Sequence, residues 1–119
     1  MGYTSASAQV YDLSQLAKYD DAKPHPQILS DNGSARLLLF SFKAGQTLPA
    51  HTNPSNLLVQ VIQGEITFTA SGQPHDLKVG TILEVRGHAL HEVTAKTDAL
   101  VLITMTPSPS EIHKDHPKA

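Results

Sequence analysis

A period of two limits this chain more than any other feature. The stretches "ARLLLFSF" (35–42), "NLLVQVI" (56–62), "EITFTA" (65–70), "DLKV" (76–79), "TILEV" (81–85), "HEVTA" (91–95) and "ALVLITM" (99–105) are short and rich in Val, Ile, Leu, Phe and Thr. In an extended chain, alternate side chains leave on opposite faces, so such runs build sheets rather than helices. Turn residues separate them: Asp31-Asn32-Gly33, Gly64, Ser71-Gly72, Gly80, Arg86-Gly87 and Lys96-Thr97-Asp98. Many short strands punctuated in this way predict an all-β barrel or sandwich.

The remainder is sparse. "LSQLAKY" (13–19) is the one predicted helix, following a short "QVYDL" strand. "HPQILS" (25–30) is expected to form a hairpin with 34–42 across Asp31-Asn32-Gly33. The chain therefore divides into an N-terminal arm (1–34), a barrel (35–106) and a polar, proline-rich tail (107–119). In "EITFTA" the faces split cleanly, Ile66, Phe68 and Ala70 against Glu65, Thr67 and Thr69. In "ARLLLFSF" and "ALVLITM" both faces are apolar, which a strand with one wet face would not be. Leu37, Leu39, Leu100 and Leu102 are thus expected to form an outward face covered by other structure, and a homodimer is the expected assembly.

With 119 residues the chain has room for one core. A formal charge of −2 carries no basic surplus for nucleic acid or an anionic membrane. No apolar run approaches the ~18 residues that span a bilayer. "MGYTSASAQVYDL" lacks the basic and apolar regions of a signal peptide, and Ala6 stands where a myristoylation signal needs Ser or Thr. A cytoplasmic location is expected. The absence of cysteine excludes disulfides, thiolate metal sites and cysteine nucleophiles. Seven histidines make imidazole the candidate carrier of any chemistry.

The segment "GQTLPAHTNPSNLLVQVIQG" (45–64) is the informative one. Gly45 is followed by His51 after five residues, then Asn53, Leu57 and Gly64; later, Gly80 is followed by Arg86, Gly87, His88 and His91. This resembles the cupin family, whose motifs are G-x5-H-x-H-x3,4-E-x6-G and G-x5-P-x-G-x2-H-x3-N. The resemblance covers roughly 35–106 and implies a small, RmlC-like bacterial cupin with a double-stranded β-helix (jelly-roll) barrel. It implies metal ligands at positions 51, 53, 57 and 91, occupied here by His51, Asn53, Leu57 and His91. Arg86, His88 and Ala95 also depart from the second motif.

Strand parity puts His51 and His91 at an apolar interior, while Gln60 and Glu84 fall on the other face. A metal site of His51, His91 and Asn53, with His88 as substitute donor, would be short of carboxylate and weaker than a four-ligand site. It would take a divalent ion such as Fe, Mn, Ni, Cu or Zn. The competing expectation is a neutral histidine pair that anchors a small organic ligand, with Asn53, Gln60, His88 and Arg86 as further candidate contacts. The resemblance leaves three roles open: a ligand-binding module, a metal-dependent oxygenase or isomerase, and a structural dimer with a vestigial pocket. His25, His75, His113 and His116 are expected at the surface, and "HKDH" (113–116) as an incidental chelating tail.

Overall fold

The structure is a computed structural model and describes residues 7–110. Nine strands make up most of that span: β1 His25–Asp31, β2 Arg36–Phe42, β3 Thr47–His51, β4 Asn56–Gln63, β5 Glu65–Ala70, β6 Gln73–Lys78, β7 Ile82–Val85, β8 His91–Ala95 and β9 Ala99–Thr106. They form two sheets, one of order β1-β2-β9-β4-β7 and one of order β3-β8-β5-β6. Every strand pair is antiparallel. The inner faces meet in one core, with Phe42, Val59, Ile66, Phe68 and Val101 almost fully excluded from water. Each such side chain contributes on the order of 2 kcal/mol by leaving water.

The β1–β2 hairpin closes as predicted. The Asp31 carboxylate accepts from Gly33 N–H, and Gly33 takes the left-handed conformation at φ 85°. One strand escaped the alternation. In β3, "TLPAH", only Leu48 is partly buried, and Pro49 lacks the N–H of an interior strand. The segment is a strand because it lies at a sheet edge beside β8, with a register shift between Leu48 and His51 that absorbs the proline. Strand β6 likewise begins three residues before the predicted "DLKV".

The N-terminal arm differs from expectation. No strand forms at "QVYDL", and the helix α1 spans Leu13–Leu16 rather than 13–19. Asp12 caps it through its side chain, and Ala17 then turns extended, so that the Lys18 N–H donates to the Ser41 hydroxyl on β2 instead of continuing the helix. This places Tyr11, Leu13, Leu16 and Ala17 on the outward cluster of Leu29, Leu39 and Leu100. The cover expected from elsewhere is thus supplied, for Leu39 and Leu100, by the chain itself. Leu37 and Leu102 are only partly buried at the margin of that cluster.

Beyond β9, the fully buried Ser108 donates to the Asp31 carboxylate at 2.6 Å and its N–H to Gly33 carbonyl, fixing the start of the tail against the β1–β2 turn. The Ser108 hydroxyl and the Gly33 N–H, with the Arg36 guanidinium, hold the Asp31 carboxyl down at about 2. His113 and His116 lie outside the described residues. Among the described residues, no helix is long and apolar enough to cross a membrane.

Candidate functional site

His51 ends the edge strand β3 and His91 begins β8, and the ladder pairs them directly. Their rings meet edge-on, 4.3 Å between centroids and 64° between planes. Each is fixed by the same device. His51 Nδ1 lies 2.9 Å from the Pro49 carbonyl oxygen, and His91 Nδ1 lies 3.1 Å from that of Ala89. A carbonyl only accepts, so each Nδ1 carries a proton and each neutral ring keeps its lone pair on Nε2. Neither Nε2 has a hydrogen-bond partner among the described residues. Two acceptors therefore stand side by side. Phe68 stacks on His91, 5.5 Å between ring centres, and restricts its tilt.

The pair borders a cavity of about 170 Å³ between the sheets. The rest of its wall is apolar: Leu38 and Phe40 from β2, Leu48 from β3, Leu57 from β4, Phe68, Val93 and Ile103. The histidines are unequal. His91 is buried, and loss of hydration pushes its pKa below the ordinary imidazole value, a nearby His51 charge adding to the effect against the opposing Ala89 hydrogen bond. His51 is exposed, so it stands at the mouth rather than in the interior that strand parity suggested. The edge strand β3 that carries it is mostly exposed, with only Leu48 partly buried.

The other candidates lie elsewhere. Asn53 spends its side-chain oxygen on the Ser55 N–H at 2.8 Å and its carbonyl on the His88 N–H at 2.7 Å. It ties the β3–β4 turn to the β7–β8 turn, and thereby the two histidine-bearing segments, without reaching the cavity wall. Gln60 is outside that wall, paired with Leu102 and Ile82 on the outward face, and Glu84 shares that face through Leu58. Arg86 and His88 are exposed in the turn before β8 and do not line the cavity. His25 lies on β1 and His75 on β6, both apart from the pair. The lining residue that the sequence pattern does not name is Leu48, which carries a signal only after β3 is known, as the cross-strand partner of Val93.

These residues do not fit a resident metal. The two Nε2 atoms are suitable donors, but Leu57 fills the carboxylate position and the Asn53 oxygen is already bonded. Among the described residues, no three His, Cys, Asp or Glu side chains gather where they could share an ion.

A cupin domain model matches residues 38–107, which is most of the chain and both motifs. No curated protein matches. Solved structures do. An RmlC-like cupin from Desulfovibrio desulfuricans is 28% identical, with TM-score 0.78 over 84% of this chain and 97% of its own. A cupin superfamily protein from Desulfitobacterium hafniense is 22% identical, TM-score 0.75, over 84% and 92%. A double-stranded β-helix protein from Klebsiella pneumoniae, at 15% identity and TM-score 0.75 over 84% and 90%, shares the fold. The two-sheet barrel, the spacing of both motifs and the family match agree: this chain belongs to the cupin domain family.

Proposed function

We propose that this chain is a binding module for a small organic molecule with an apolar body and a hydroxyl head, held by His51 and His91. The observation that carries this reading is the pair of Nε2 acceptors on an otherwise apolar cavity. A hydroxyl taken from water without a partner costs about 1–3 kcal/mol. Here its single O–H donates to one Nε2, with the second as an alternative acceptor, while the hydrocarbon body gains by leaving water. The cavity is of the same order as the ~150 Å³ apolar cavity that holds benzene in another protein. A cationic head would have to shed its hydration without a carboxylate to meet it, so a neutral donor fits best. Among the described residues the pair has no third metal donor, and the proposed binding needs none.

Calorimetry of the whole chain with phenol and benzene tests it. Phenol should bind several-fold more tightly, the worth of about one hydrogen bond. His91→Phe should erase the difference while leaving the fold intact. Equal binding of the two, or binding of neither, contradicts the proposal. The reading includes a homodimer over what the N-terminal segment leaves open, Leu37, Leu102, Ile62 and the exposed Ile82. Sedimentation equilibrium showing a single chain at micromolar concentration contradicts that part.

A further inference from the structure

The cavity has an apolar exit. Val59, Ile103, Leu38 and Ile28 are successive cross-strand partners running from β4 through β9 and β2 to β1. Directly paired residues share a face, so these four side chains form one row on the inner side of the five-stranded sheet. Exposure rises along it: Val59 is 0% exposed, Ile103 6%, Leu38 partly buried, and Ile28 52%. The next row repeats the pattern, Val61, Val101, Phe40 and Pro26, with Pro26 exposed. Leu38, Phe40 and Ile103 are cavity wall. Pro26 and Ile28 are one strand further out, ~4.8 Å away, on the sheet edge. An apolar strip thus leaves the cavity and ends in water, with no polar side chain interrupting either row.

A cavity sized for a compact ligand alone would not need that strip, whose outer end costs exposure of Ile28 at the edge strand. From this continuity, and resting on the binding reading above, we propose that the ligand is elongated: its hydroxyl head meets the histidine pair, and an unbranched aliphatic tail leaves the cavity over Leu38 and Phe40 to rest on Ile28 and Pro26. The substrate class is an amphipathic alcohol or phenol with a short alkyl chain, and Ile28 is a residue that selects tail length.

The test uses phenol, 4-ethylphenol and 4-butylphenol with the full chain by calorimetry. Affinity should rise about fourfold per methylene that becomes buried, equal to ~0.8 kcal/mol. Ile28→Ser, a substitution at an exposed site, should cut the gain from the butyl chain and leave phenol unchanged; Pro26→Ser should do so to a smaller degree. If phenol binds and chain length adds nothing, or if Ile28→Ser leaves the butyl gain whole, the tail assignment is wrong and the binding reading stands. If none of the three binds, both fall. If Ile28→Ser instead converts a dimer to a single chain in sedimentation, the strip belongs to a second copy, and the tail assignment is again overturned.

Discussion

His51 and His91 are direct cross-strand partners whose rings meet 4.3 Å apart, each pinned through Nδ1 to the carbonyl two residues before it. The arrangement turns two weak, flexible bases into two oriented acceptors. Removing either one should therefore act on binding more than on folding. His51→Ala, at an exposed position, should change stability by less than about 0.5 kcal/mol. His91→Ala opens a gap beside Phe68 and should cost about 1–3 kcal/mol. Both should lose the preference for phenol over benzene. Urea melts alongside calorimetry separate the two effects, and substitutions at His25 or His75 should alter neither.

The pair also sets a pH dependence. His91 has its pKa lowered in the folded chain, chiefly by burial. The unfolded chain then binds more protons than the folded one as the pH falls through the ordinary imidazole value of ~6.5. This contribution is fully present above that value, is lost as the pH drops below it, and levels off once His91 is protonated in the fold. Thermal melts between about pH 8 and 5 should show the decline, and His91→Phe should flatten it. Phenol affinity should weaken only at the lower pH where His91 is protonated in the fold, because a protonated Nε2 no longer accepts.

Two glycines are spatial necessities. A Cβ at Gly64, which also has φ of +80°, would lie 2.1 Å from the Asp98 carbonyl oxygen. Gly64→Ala should cost about 2 kcal/mol or more, since both the conformation and the space exclude it. A Cβ at Gly87 would lie 2.5 Å from the Pro54 carbonyl oxygen, across the contact that joins the two histidine-bearing turns. Gly45→Ala, with open space around it, should cost only the backbone term. Chemical denaturation of the three variants checks the order.

The tail has its own lock. Ser108 is fully buried and donates to a charged carboxylate, so Ser108→Ala should cost about 1–3 kcal/mol. Asp31 titrates at about 2 in the fold, so the stability it adds is present above the ordinary carboxylate value and is lost as the pH falls from about 4 toward 2. Acid titration of the wild type against Asp31→Asn reads this directly.

Much of this was legible because it rests on parity. The alternation in "EITFTA" and "NLLVQVI" names the inward residues of β5 and β4, and it correctly sets Gln60 and Glu84 on the outer face. What parity could not reach was β3. An edge strand with a proline, a register shift and mostly exposed side chains carries no alternation, and His51 sits at its end. The fate of Asn53 was hidden for a different reason. Its position invites a metal-ligand role, but "NPS" is also a local turn in which the asparagine oxygen caps the Ser55 N–H, and that short-range bond won. The outward leucines need cover, and tertiary packing of a four-residue helix provides part of it.

The donor set also bears on the metal. Untagged protein purified without chelating resin should carry no stoichiometric Fe, Mn, Ni, Cu or Zn by elemental analysis, and a chelator should leave its melting temperature unchanged. Stoichiometric metal that disappears with His51→Ala or His91→Ala would return the metal-dependent reading.

Both rings hold their proton on Nδ1 and offer Nε2 to a ligand. Long-range proton–nitrogen NMR of the imidazoles, recorded near pH 8 with and without phenol, measures this most directly. His51 and His91 alike should show the Nδ1-protonated form, with phenol moving the Nε2 signals and leaving the Nδ1 signals in place. An Nε2-protonated ring at either position, or Nε2 signals that ignore saturating phenol, would contradict it.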